Sequence, residues 1–168
     1  MDFSLAPATE AMRLMVRDYV DNRLIPLESD PASYDAHENI ALPLLAEIRK
    51  ETKAAGIWAL QSPKARGGGG LKMAEQAVLY EEMNRSIFGP VCFNCAAPDD
   101  GNMRVLAQIA TPEQQDRWLQ PIIDGTVHSS FIMTEPMDED GGGCGSDPSQ
   151  TRTEATRTNT GWVVRGRK

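Results

Sequence analysis

Long apolar segments and a secretion signal are both missing from this chain of 168 residues. No apolar run approaches the roughly 20 residues that a membrane-spanning helix needs. The first residues, Met1 to Ser4, do not form a basic region followed by an apolar one. We therefore expect neither a membrane span nor a signal peptide, and a cytoplasmic location.

Positive charge is also in short supply. The sequence has 17 Lys and Arg against 24 Asp and Glu, which gives a formal net charge of −7. Because nucleic-acid binding rests on the neutralisation of phosphates by Lys and Arg, this balance argues against a nucleic-acid partner. The hydrophobic content of 40% is that of a globular protein with an ordinary core.

Cysteine is scarce as well, and the three cysteines are Cys92, Cys95 and Cys144. An odd count without a signal peptide predicts reduced thiols. Cys92 and Cys95 form a C-x-x-C, but a zinc site needs about four ligands and no other Cys or His lies at ligand spacing. A redox pair would follow a strand in a βαβ unit, which this region does not resemble. We interpret the pair as small, semi-buried side chains and predict no metal site.

What is present, up to about residue 126, is helical periodicity. The spacing predicts helices over residues 7–24, from Pro43 to Gly56, over residues 71–86 and from Asp99 to about Ala110, with a loop at 27–41 and a break at Gly89-Pro90. Thr111, Pro112 and Gln114 form a capping box that predicts another helix, which we expect to end at Pro121. Its apolar stripe, expected in the core, is Trp118, Leu119, Ile122 and Ile123.

Two polar features of the helical region have more than one interpretation. The glycines at 67–70 could cradle a phosphate, but they lack the Gly-Lys-Ser/Thr ending of a phosphate loop, so a turn before a helix is favoured. Glu81 and Glu82 are neighbours and point about 100° apart on a helix. We therefore expect them to form a solvated or salt-bridged face rather than a working carboxylate pair.

The spacing of apolar residues changes from a helical to a strand pattern near residue 127. The apolar run from Val127 to Met133 predicts a buried strand, residues 151–158 an exposed strand and residues 161–166 another, with a hairpin turn at Asn159-Thr160-Gly161. The expected fold class is α+β. An all-α helical domain (1–126) precedes the first strands of an antiparallel, barrel-like β domain (127–168).

The most informative motif is Phe131-Ile132-Met133-Thr134-Glu135-Pro136, followed by Gly145-Ser146-Asp147. This pattern resembles the flavin-binding signature of the acyl-CoA dehydrogenases. The segments at 97–103 (Ala-Pro-Asp-Asp-Gly-Asn-Met) and 115–121 (Gln-Asp-Arg-Trp-Leu-Gln-Pro) are similar to the N-terminal domain of that family. The segment at 161–168 resembles the strand before its second flavin-contact segment.

The resemblance implies an FAD-dependent enzyme that removes two hydrogens across Cα–Cβ of an acyl-CoA thioester and passes the electrons to a partner flavoprotein. It implies flavin contacts for Phe131, Met133, Thr134 and Ser146, and a contact of Ser146 with the acyl-CoA substrate. Small side chains such as Ala96 and Ala97 are expected where acyl chains lie between helices. The full-length protein is expected to be a homodimer or homotetramer.

Two departures from the family pattern leave alternatives open. The loop between Pro136 and Gly145 is longer than usual and carries Asp138, Glu139 and Asp140. The usual catalytic base would come after Lys168, so no residue of this chain is predicted to be catalytic, and we expect the chain alone to lack dehydrogenase activity. The alternatives are a flavoenzyme of the same fold that uses oxygen, and a truncated, non-enzymatic helical module for protein association.

Overall fold

The structure is a computed structural model that describes residues 4–137 and 144–168. The chain divides after Ser129 into a helical unit and a second unit, Ser130–Lys168. The helices are α1 (Pro7–Tyr19), α2 (Leu42–Ala54), α3 (Met73–Met83), α4 (Gly89–Cys92), α5 (Asp99–Ile109), α6 (Pro112–Gln114) and α7 (Gln120–Ile123). The strands are β1 (Glu154–Thr158) and β2 (Gly161–Arg165). This is the α+β class that the sequence predicts.

Local signals account for several of these helix ends. At α6, Thr111 Oγ1 accepts from Gln114 N at 3.3 Å and the Gln114 side chain accepts from Thr111 N at 2.9 Å, which confirms the capping box. At the end of α2, Gly56 has φ +70°, the left-handed conformation that favours glycine at this position.

Prolines end fewer helices than the sequence predicts. The prediction that Pro121 ends its helix is wrong, because a π turn (Gln115–Leu119) joins α6 to α7 and Pro121 lies in the first turn of α7. Helical winding likewise continues beyond α1 through a π turn (Val20–Leu24) and a 3-10 turn (Ile25–Ser29) that contains Pro26.

Two other irregular segments are more ordered than predicted. The segment expected as a loop at 27–41 contains 3-10 turns and an isolated bridge between Tyr34 and Ile40. Gly89-Pro90, expected to break the chain, begins α4. Gly89 is required there, since a Cβ would lie 1.8 Å from the Met83 carbonyl oxygen.

The core of the helical unit consists of two clusters. In the first cluster, α1, α2, α3 and α4 meet around Phe93, which is fully buried. The rings of Phe93 and Tyr19 pack edge to face, with their centroids 5.9 Å apart. The second surrounds Met103 of α5 and includes Trp58, Ala59, Leu119, Ile122 and Ile123. The expectation that Trp118 belongs to the core is wrong. It is 46% exposed and stacks with Arg117, because the π turn rotates it away from the face that buries Leu119.

Cys92 and Cys95 are free and buried in the first cluster, as the interpretation as small core side chains requires. Burial raises the pKa of both thiols to about 12, so they stay protonated at neutral pH. Among the residues that the structure describes, no three His, Cys, Asp or Glu side chains form a potential metal site.

The second unit contains one antiparallel hairpin, with Glu154 opposite Arg165 and Thr158 opposite Gly161. Both strands are exposed along their whole length. The hairpin turn is confirmed. The predicted buried strand from Val127 to Met133 is wrong: it forms no strand, and Phe131 is 69% exposed. Apolar composition leads to burial only where a neighbouring element covers the segment, and none does so in the described part of the chain.

Helix length can be compared with a bilayer. The longest described helices, α1 and α2, have 13 residues each. Within residues 4–137 and 144–168, no helix combines the length and apolarity that crossing a membrane requires.

Candidate functional site

The motif segment from Phe131 to Thr134 presents its backbone and side chains to solvent. All four residues are exposed. In the described residues, none of their backbone N–H groups donates a hydrogen bond to the protein, and the Thr134 hydroxyl also has no protein partner. The segment therefore offers a short row of free donors that a ligand with acceptor atoms could use.

Glu135 holds this segment in place. Its carboxylate is buried and accepts from Arg152 N at 2.8 Å, from Thr153 N at 2.9 Å and from Thr153 Oγ1 at 2.6 Å. Lys168 Nζ lies 3.1 Å from the same carboxylate and donates to the Met133 carbonyl at 2.9 Å. Sequence reasoning assigned Glu135 no role. The Glu of Thr-Glu-Pro is a structural anchor that ties the motif to the residues before β1.

The hydrogen bonds from Thr153 and Arg152 lower the pKa of Glu135 to about 2. A carboxylate with a depressed folded-state pKa contributes stability that is complete above its unfolded pKa and is lost as pH falls toward the folded value. We therefore expect the Thr153 amide to lose protection from hydrogen exchange between about pH 4.5 and pH 2. Glu135→Gln should show this loss already at neutral pH, whereas Glu154→Gln, an exposed change nearby, should not. Retained protection in Glu135→Gln would contradict the anchoring role.

A single backbone bridge brings the two halves of the motif together. Glu135 N donates to Gly145 O at 3.2 Å in an isolated antiparallel bridge. In antiparallel pairing the residue before Glu135 stands opposite the residue after Gly145. Thr134 and Ser146, both predicted site residues, are the chain neighbours of the two bridge residues, and both have exposed side chains.

The third residue of Gly145-Ser146-Asp147 has a local structural function. Asp147 caps the 3-10 turn Pro148–Gln150 by accepting from Ser149 N at 3.0 Å. The acidic residues Asp138, Glu139 and Asp140, predicted to lengthen this loop, lie outside the described residues. Phe131, Met133 and Thr134 thus lie on one exposed segment of the second unit, and the Glu135–Gly145 bridge links it to the segment that carries Ser146.

The glycine segment at 67–70 is a packed turn. Its four N–H groups donate to the carbonyls of Lys64, Pro63, Ala59 and Ser62, at 2.8–3.4 Å. A Cβ on Gly68 would lie 2.2 Å from the Ser62 carbonyl oxygen. Because every donor is already used within the protein, the phosphate interpretation fails and the turn interpretation is confirmed.

A polar cluster in the helical unit was not found from the sequence. Asp99, buried at the start of α5, accepts from His128 Nδ1 at 2.6 Å and from the N and Oγ of Ser129, each at 2.6 Å. Burial raises the pKa of Asp99, but the hydrogen bonds from Ser129 and His128 outweigh it, so the net pKa is lowered. A single His in an apolar segment gave no signal for this cluster, since its partners lie 29 and 79 positions away.

Comparison with known proteins adds to this geometry. Residues 6–126 match the sequence family described as acyl-CoA dehydrogenase, N-terminal domain. The chain is 32% identical over 98% of its length to acyl-CoA dehydrogenase family member 10 of Mus musculus, of which it spans 16%. It is 30% identical over its whole length to (R)-benzylsuccinyl-CoA dehydrogenase of Thauera aromatica and spans 42% of that protein.

Among solved structures, one from Mycobacterium abscessus, described as an acyl-CoA dehydrogenase, superposes with a TM-score of 0.83. The two are 32% identical over 98% of this chain, which covers 42% of the solved one. The chain therefore spans less than half the length of each of these relatives.

Proposed function

Because the chain belongs to the acyl-CoA dehydrogenase family, we propose that it is the N-terminal portion of an FAD-dependent enzyme that dehydrogenates an acyl-CoA thioester at Cα–Cβ. The observation that carries this proposal is the exposed stretch from Phe131 to Thr134, whose N–H donors have no protein partner in the described residues and which the Glu135–Gly145 bridge links to the segment of Ser146. This stretch fits a flat cofactor with acceptor atoms along one edge.

In this proposal the chain's own residues bind and orient. The backbone at Phe131 and Met133 and the Thr134 hydroxyl donate to the cofactor, and donors there stabilise the negative charge that builds on a ring during reduction. Ser146 contacts both the cofactor and the acyl-CoA. FAD, when bound, supplies hydride acceptance, and the electrons then leave to a partner flavoprotein.

No carboxylate of this chain is assigned the role of the base that removes the α-proton. In the described residues the buried acidic side chains are those of Glu82, Asp99 and Glu135. Each is already engaged with protein donors, by ion pairs with arginines at Glu82 and by hydrogen bonds at Asp99 and Glu135. A carboxylate held in this way is a poor proton acceptor, because its pKa is lowered. In keeping with this, we propose that the base lies elsewhere in the full-length enzyme.

The test is a titration of the full chain with FAD, in which the quenching of flavin fluorescence measures binding. We expect saturable quenching and, for Thr134→Val, an affinity lower by about fivefold to tenfold, the value of one hydrogen bond. Thr156→Val on β1 is the matched control, since Thr156 is also exposed, and it should bind as the parent does.

Two results would contradict the proposal: quenching that rises linearly without saturation, or equal losses in the two variants. Either would favour the second candidate, an association module. The large exposed apolar side chains Phe131, Ile132, Met137 and Trp162 are the observation that supports this candidate. Sedimentation of the chain at increasing concentration would then show self-association.

A further inference from the structure

A cavity of about 390 Å³ lies in the helical unit, and none of the residues 131–136 of the motif is in its lining. Its inner residues include Ile40 and Phe88, both buried. Leu42 of α2 and Ile87 also line it, and they are 74% and 67% exposed. The volume is within the range of small-molecule sites, and the apolar lining favours an apolar ligand body.

One residue of the lining is a half-buried cation that forms no ion pair with a carboxylate in the part of the chain that the structure describes. Arg49 donates to the carbonyl oxygens of Val91 and Gly125, both at 3.3 Å, and lies 3.4 Å from His128 Nε2. These hydrogen bonds are long compared with the 2.7–2.9 Å typical of an arginine with a carboxylate. Burial accordingly lowers the pKa of Arg49, since no direct anion offsets the desolvation.

The neighbour of Arg49 in this cavity is the His128 ring, whose Nε2 lies 3.4 Å from the Arg49 guanidinium. His128 Nδ1 lies 2.6 Å from the Asp99 carboxylate, which can only accept, so the ring proton is on Nδ1. Asp99 reaches Arg49 only through the His128 ring, and the Arg49 guanidinium, which also lies over the Trp58 ring at 5.6 Å from its centroid, forms no ion pair with a carboxylate of the described residues.

The same cavity also has an acidic part. Asp35 and Glu38 line it together with Arg49. The Asp35 carboxylate accepts from the backbone N–H groups of His37 and Asn39, at 2.8 and 3.0 Å, and these hydrogen bonds lower its pKa. Two carboxylates in the lining disfavour a ligand that carries a second negative charge.

We propose that this cavity binds a small monocarboxylate with a linear apolar body, the carboxylate on Arg49 and the chain between Leu42 and Ile87. The positive charge of Arg49 favours the carboxylate of the ligand, and the apolar lining favours its hydrocarbon chain. The negative charges of Asp35 and Glu38 disfavour dicarboxylates. This site uses none of the residues of the motif segment, so it is independent of the proposed function.

The test uses octanoate as the probe and amide NMR shifts of the full chain as the measurement. A ligand of this size is expected to bind in the millimolar range, since each non-hydrogen atom contributes a few tenths of a kcal/mol. We expect octanoate to bind at least about tenfold more tightly than 1-octanol, which lacks the charge, and than octanedioate, which has two. Equal binding of octanoate and octanol would overturn the proposal, and so would a lack of octanoate binding.

Variants locate the site. Arg49→Gln should weaken octanoate binding about tenfold, whereas Lys50→Gln, the same change of charge at the next residue of α2 and outside this cavity, should not. Because Arg49 also bonds two carbonyls, its removal could unfold the protein, so Ile87→Glu provides a second variant at an exposed position. It places a negative charge in the wall and should abolish binding while leaving the melting temperature unchanged. Unaltered binding in Ile87→Glu, or equal losses in Arg49→Gln and Lys50→Gln, would overturn the assignment.

Discussion

Replacing Phe93 with alanine is expected to lower the free energy of unfolding by about 3–5 kcal/mol. The Phe93 ring is fully buried in the first core cluster and contacts the edge of Tyr19. Removing it deletes the transfer free energy of the ring and leaves a cavity that the four surrounding helices cannot close. The loss is large beside the roughly 5–15 kcal/mol that stabilises a typical domain. Urea denaturation followed by circular dichroism measures it.

Phe131→Ala is the matched control for this prediction. It makes the same chemical change at a side chain that is 69% exposed, so we expect the free energy of unfolding to change by no more than about 0.5 kcal/mol. If the two variants lost equal stability, the core position of Phe93 would be contradicted. The pair also tests whether the Val127–Met133 segment is exposed, since a buried Phe131 would give a large loss of stability on substitution.

Glu82→Gln is expected to cost about 2–4 kcal/mol of stability, which is the second large effect. Glu82 is 3% exposed and pairs with both Arg13 and Arg17 of α1; Arg17 Nη2 lies 2.8 Å from its carboxylate. The amide keeps the volume of Glu82 but removes its charge, so Arg17 would lose the carboxylate at 2.8 Å and Arg13 would keep only Glu10. We place the effect at the lower end of buried pairs, because Arg17 is 47% exposed.

The neighbouring residue supplies the control. Glu81→Gln removes the same charge from an exposed position on α3 and should change stability by less than about 0.5 kcal/mol. Thermal melts at low and at high salt would further distinguish Glu82→Gln from Glu81→Gln. The effect of Glu82→Gln should depend less on salt, because a buried ion pair is screened less than exposed charges. Equal effects of Glu81→Gln and Glu82→Gln would contradict the ion-pair role.

Several features of this fold could be predicted from sequence because their causes are local. The capping box at Thr111 and Gln114 joins residues three positions apart, and the hairpin turn at Asn159-Thr160 joins adjacent strands. The helical periodicity of α1 and α2 has the same short range. The motif at 131–136 could also be recognised from sequence, because the family resemblance rests on consecutive residues. The family matched by residues 6–126 is the same one.

Other features could not be predicted, because they depend on what lies next to a residue in space. Trp118 has the composition of a core residue, yet a π turn exposes it. The run from Val127 to Met133 has the composition of a buried strand, yet nothing in the described residues covers it. Glu135 stood inside the motif with no assigned role, because the donors that make it an anchor are 17 and 18 positions further along the chain.

By itself the sequence determined the helical periodicity, the turns, the α+β class and the family, because these follow from residues a few positions apart. The tertiary structure alone decided which charges are buried and where they are paired. Arg13 and Glu82 are 69 positions apart, and Arg49 and His128 are 79 apart. Burial and ion pairing are properties of such distant neighbours, and a one-dimensional pattern does not contain them.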